Sequence, residues 1–127
     1  MSKLTAAMLI IVGMIHLLPL SGALGANRLS ALYGLDFSNP DLQILMRHRA
    51  VLFGILGAFL IVAAALPGLR PAALVAGWIS VLSFLAIAWG VGGYGEAIRR
   101  VVMADLVAAA CLAIATVAWM LHLRSGG

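Results

Sequence analysis

Four stretches of this chain, residues 4–24, 42–66, 72–91 and 98–121, are each long and apolar enough to cross a bilayer. A helix rising about 1.5 Å per residue needs about 20 such residues to traverse the hydrocarbon layer. The stretches are unbroken and alanine-rich, with no period-two alternation, which argues against membrane strands. They predict an all-α, integral membrane four-helix bundle, up-down-up-down, forming a single domain over residues 1–127. Composition agrees: 65% of the residues are hydrophobic and 9% charged, with a mean hydropathy of +1.16. Soluble domains are nearer half apolar and a quarter charged.

The net charge of +4 would suggest nucleic acid in a soluble protein. Here the Lys and Arg residues stand singly or in pairs beside apolar spans, so no nucleic-acid partner is expected. A single cysteine, Cys111, excludes an intrachain disulfide and a CxxC site, and it reads as a small apolar packing residue. No metal and no cofactor is expected. Lys3 and the small residues of "SGALGA" imitate a secretion signal, but the length of the first stretch and the three similar ones after it favour a mature transmembrane helix.

The connections carry information of their own. "SNPD" offers Ser38 or Asn39 as N-cap with Pro40 at the first helical position, so the second long helix should start there. "LPGLRP" implies a tight turn and "GVGGYGE" a looser one. "NRLSALYGLDF" is too short and mixed to span and suggests an interfacial helix or ordered loop. "RHR" and "RR" at the starts of the second and fourth spans hint at two related hairpins.

At about 100° per residue, Gln43, Arg47, Gly54 and Ala58 lie within about 40° of one another, bordered by Ala50 and Gly57. Small residues allow close helix approach in membranes, so this stripe is the expected packing face, with Gly54 on it and Ala63 outside it. Arg47 then points inward, and Arg49, roughly 200° away, snorkels to headgroups. In the third span Ala76, Ser80, Ser83 and Gly90 form the comparable stripe, with Trp78 and Trp89 opposite at the interfaces. In the fourth, Asp105 aligns with Ala109, Leu112 and Thr116 and points into the bundle. Such small-residue faces also allow a homo-oligomer.

Alternating helix directions put His16, Arg47, His48 and Asp105 in one leaflet. A charge at that depth costs roughly 3 kcal/mol unless compensated, so Arg47 and Asp105 are expected to pair. Glu96 lies one turn before Arg99 and Arg100 and can pair with either at the mouth. Tyr33 and Tyr94 are placed to cap the site from the loops. Arg28, Arg47, Arg49, Arg99 and Arg100 fall at one end, against Lys3, Arg70 and Arg124 at the other, which favours cytoplasmic Arg-rich loops and periplasmic termini.

"HLLP", "GANRLSALYG", "LQILMRHRAVLFGILG" and "GGYGEAIRRVVMADLVA" resemble a group of small bacterial four-helix inner-membrane proteins, a resemblance that extends over nearly the whole chain. Members of that group sometimes carry the label phosphopantetheine adenylyltransferase. The soluble enzyme of that name is similar to nucleotidyltransferases with an HxGH motif on a Rossmann-like sheet, and this chain has neither the motif nor room for the sheet. The layout distantly resembles DoxX-like membrane proteins, some linked to quinone chemistry, through helix count and an early arginine in the second span. The resemblance implies a multi-pass protein of the bacterial inner membrane.

The favoured function is binding the head of a small amphipathic or anionic lipophile, such as a lipid or quinone, by His16, Arg47, His48 and Asp105, with Tyr94, Glu96, Arg99 and Arg100 at the mouth. Arginine suits phosphate or carboxylate, and histidine a quinone carbonyl. Two alternatives stay open: an enzyme using His16 or His48 as acid or base with Asp105 orienting it, and an accessory subunit in which Arg47 and Asp105 only lock helices. A b-type haem between His16 and His48 and a proton-coupled transporter are more remote alternatives.

Overall fold

The computed structural model describes residues 2–126. Five α-helices follow one another: α1 (Ser2–Leu17), α2 (Ala26–Tyr33), α3 (Pro40–Ala65), α4 (Arg70–Val91) and α5 (Glu96–Arg124), with 3-10 turns at Leu18–Leu24 and Pro67–Leu69. No strand occurs among the described residues. Four helical segments, Ser2–Leu24, Pro40–Ala65, Pro67–Val91 and Glu96–Arg124, are long and apolar enough to span, so the chain is a multi-pass membrane protein built as a helical bundle.

Local chemistry sets the helix limits. Asn39 caps α3: its side chain accepts from the N–H groups of Asp41 and Leu42, and Pro40 sits where its missing N–H has no helical partner to lose. Asn39→Ala should cost about 1 kcal/mol, measurable by thermal unfolding in detergent; an unchanged midpoint would mean that the cap contributes nothing. Pro19 denies α1 a further N–H, and the chain tightens there from α-helix to the 3-10 turn. The mixed segment before α3 folds as the short helix α2, which closes on Gly34 in the left-handed region at φ 66°.

Ser2, at the start of α1, bonds Arg70, at the start of α4, while His16, near the end of α1, bonds Ser80 midway along α4. These two helices therefore run parallel, and α3 and α5 run against them. α1 packs between α3 and α5, and α4 completes the bundle against both. Leu9, Val12, Leu60, Val81 and Leu112 are fully buried, surrounded by Ala63, Ala73, Ala108 and Ala115. In lipid such contacts hold helices together by dispersion and close fit, because the tails outside are equally apolar. A second cluster, Leu29, Tyr33 and Phe37 with Met46, Ile98 and Val101, seats α2 across the ends of α3 and α5.

The packing faces are rotated from the expected ones. On α3 the buried residues are Ala50, Gly54, Gly57, Leu60, Ala63 and Ala64; their mean direction lies roughly 90° round from Arg47 and roughly 65° from Arg49. Ala63, expected outside the face, is completely buried. On α4 the inner residues are Ala73, Leu74, Gly77 and Val81, while Ser83 and Gly90 are exposed. Trp78, expected at the lipid interface, instead donates from Nε1 to Thr116 Oγ1 at 3.0 Å. Trp89 is 89% exposed. The small residues at Gly13, Gly54, Gly57 and Gly77 are used for contacts within the chain.

Candidate functional site

Where α1 passes into its 3-10 turn, the wall of the bundle opens into a cavity of about 220 Å³. Ile15, Leu18, Pro19, Leu32, Phe53, Ala97, Val101 and Ala104 give it apolar walls, the His16 ring stands among them, and Tyr33, Arg49, Arg100 and Asp105 bring polar groups to it. Every α-helix except α4 contributes a wall: α1 and its 3-10 extension on one side, α3 and α5 on the others, and α2 across the mouth through Leu32 and Tyr33.

Arg49 is the best-held of the charged groups. Its Nη1 donates to Tyr33 Oη at 2.6 Å, and its guanidinium carbon lies 4.3 Å from the Phe53 ring centre, 5.8 Å from that of Tyr33 and 5.9 Å from that of Phe84. Cation–π attraction to several rings offsets part of the cost of taking a guanidinium below the membrane surface. Tyr33 is itself fixed by burial and by edge contact with Phe37. The cation is thereby pre-positioned, and among the described residues only Tyr33 takes one of its five N–H donors.

His16 is 4% exposed. Its Nδ1 lies 2.9 Å from the Val12 carbonyl oxygen, so that nitrogen carries the proton and donates; in the neutral ring Nε2 then accepts from the Ser80 hydroxyl, also at 2.9 Å. The ring meets Phe53 edge-on at 5.6 Å between centroids. With both nitrogens engaged, His16 presents ring carbon rather than a free lone pair, which leaves nothing for an axial bond to haem iron. Asp105 does not orient it.

Asp105 reaches the cavity half-buried from α5, as its helical position implied, and Arg49 lines the same cavity from α3. The expected pairing with Arg47 is not formed. Arg47 is exposed on the outside of α3, and its Nε donates at 2.9 Å to the carbonyl of Ala23. The two arginines of "RHR" have thus exchanged the places expected of them, because the buried sector of α3 is centred nearer to Arg49 and Phe53. His48 is exposed and lines no part of the cavity.

Of the mouth residues, Arg100 lines the cavity. Arg99 and Glu96 form an exposed ion pair at 3.6 Å, of the kind worth less than about 1 kcal/mol. Arg99 and Tyr94 line a separate surface depression with Trp89, Gly92 and Gly93. His16, Arg100 and Asp105 are therefore gathered, whereas Arg47, His48, Tyr94, Glu96 and Arg99 stand apart. Tyr33 caps the cavity as expected, though from a helix. Arg49 is the member that small-residue spacing does not reveal, and its signal is the spacing to Phe53: residues four apart share a helix face, so an arginine and a phenylalanine at that spacing can lay a guanidinium on a ring.

Compared with protein-family models, curated proteins and solved structures, the chain matches none of them.

Proposed function

We propose that this protein, seated in the bacterial inner membrane, binds the polar head of a small amphipathic or anionic lipophile, lipid-like or quinone-like, in the cavity beneath α2. The observation that carries the reading is Arg49: a guanidinium caged by three aromatic rings, most of its donors unspent, at the edge of an apolar cavity that Arg100 and Asp105 also line. A purely structural arginine would have its donors met by protein carbonyls, as Arg70 does at Ala63 and Ala64. Phe53, Leu18 and Val101 would receive the apolar part of the ligand, and Tyr33 would hold the cation in register for its head.

The Arg47–Asp105 pair that motivated the accessory-subunit reading is not formed, and of the two histidines that the enzyme reading would use, His16 has both nitrogens engaged and His48 lies away from the cavity. Orientation follows the remaining surface charge: with Arg49 and Arg100 at the cavity and Arg70 buried, Arg28, Arg47 and Arg99 at one end oppose Lys3 and Arg124 at the other, which favours a cytoplasmic mouth.

Native mass spectrometry of gently extracted protein tests the reading. A bound lipophile should accompany the wild-type chain, fall to less than about a tenth in Arg49→Gln and persist in Arg47→Gln. Equal retention in both variants would contradict it.

A further inference from the structure

Three charged side chains line the cavity, Arg49 and Asp105 half-buried and Arg100 exposed at its rim, and among the described residues none forms an ion pair with another. Among the described residues neither Arg49 nor Arg100 lies within 4.0 Å of the Asp105 carboxylate, and Arg99–Glu96 is the ion pair present. Arg100 and Asp105 are five apart on α5, outside the three-or-four spacing that brings helical side chains together. Arg49 is held toward the opposite wall by Tyr33 Oη and the Phe53 ring. Among the described residues none donates a hydrogen bond to Asp105.

Opposite charges in an apolar surrounding gain strongly by contact, so a site that holds them apart leaves room for something between them. The head that meets all three groups is constrained by their signs. A purely anionic head would satisfy Arg49 and Arg100 but would set its oxygens against the oxygens of Asp105. A neutral carbonyl head would leave the carboxylate unmet. A quaternary ammonium has no N–H to give to Asp105, and the rings that would cage it already hold Arg49. An anion joined by a short link to a primary ammonium satisfies every group.

Resting on the reading of this cavity as a lipophile site, we propose that its ligand is a zwitterionic amphipath, with the anionic group against Arg49 and Arg100 and a primary ammonium against Asp105. An aminoethyl phosphate ester on an acyl chain has that chemistry: phosphate oxygens accept from the guanidiniums, and the ammonium donates to the carboxylate.

The test titrates delipidated wild-type protein, in native mass spectrometry, with dioleoyl phosphatidylethanolamine, phosphatidylglycerol, phosphatidylcholine and a short-chain ubiquinone analogue. The ethanolamine lipid should bind at least about tenfold more tightly than the other three. Asp105→Asn should reduce its advantage over phosphatidylglycerol to about twofold or less, whereas Arg49→Gln should weaken both lipids together. Preference for phosphatidylglycerol, phosphatidylcholine or the quinone would overturn this inference and leave the lipophile site standing. Binding of none of the four above the level of a soluble control would overturn both. Selectivity of the wild-type chain decides the matter without any variant, and unchanged selectivity in folded Asp105→Asn would remove the ammonium contact.

Discussion

Gly57→Ala is expected to destabilise the bundle by about 3 kcal/mol, the upper end of what overpacking costs, while Gly54→Ala costs about 1. The two glycines lie one turn apart on the same helix, and what faces them differs. A Cβ on Gly57 would stand 2.7 Å from the carbonyl oxygen of Gly13, and a Cβ on Gly13 would stand 2.8 Å from that of Gly57. The backbones of α1 and α3 thus meet at a reciprocal crossing with no side chain between them. A carbonyl oxygen cannot rotate away, so the helices must part and give up contacts along their length. At Gly54 the nearest atom is Leu20 Cδ1 at 2.6 Å, a methyl that a rotamer change removes. Unfolding in mixed detergent should rank Gly57→Ala well below Gly54→Ala. The reverse order would show that the crossing is not where the bundle is tightest.

Arg70→Met should cost about 2–4 kcal/mol through unsatisfied acceptors. The last turn of α3 ends in carbonyls without helical partners, and Pro67 worsens the deficit by offering Ala63 no N–H. Arg70, 5% exposed, supplies what is missing: Nε donates to Ala63 O at 3.2 Å and Nη2 to Ala64 O at 2.7 Å, with Nη1 on Ser2 Oγ at 2.8 Å. The cation also sits at the negative end of the α3 dipole. Methionine fills the volume and meets none of the acceptors. Lysine keeps the charge but not the planar fork, so Arg70→Lys should fall between the two. Wild-type stability in Arg70→Met would mean that water reaches those carbonyls.

The spans and the ends of the helices were legible because length and capping are local. Pro40 and Asn39 start α3 as the sequence implies, and the four long segments match the apolar stretches to within a few residues. The faces were not legible. In a soluble helix polarity marks the outside, but these helices are apolar all round, and glycine or alanine fits either a close crossing or an open lipid face. Gly57 is the first case, Gly90 the second. A rotation of roughly 90° on α3 then carried Arg49 inward and Arg47 out. Asp105 and His16 were found because a polar group at membrane depth has few other places to go. Arg70 reads as a surface charge, since nothing in "PGLRP" announces that the turn folds its arginine back over the helix before it.

The claim that the cavity beneath α2 is a binding site is tested most directly by filling it without touching a charge. Ala104 is a half-buried wall residue between Arg100 and Asp105 on α5, and Ala104→Phe would occupy much of the space with no polar group removed. Native mass spectra of wild-type and Ala104→Phe protein, extracted side by side and matched for thermal unfolding, are the measurement. The account predicts a bound lipophile on the wild-type chain and its loss from a folded Ala104→Phe. A folded Ala104→Phe that keeps the same bound mass at the same occupancy would place the ligand elsewhere and contradict the account.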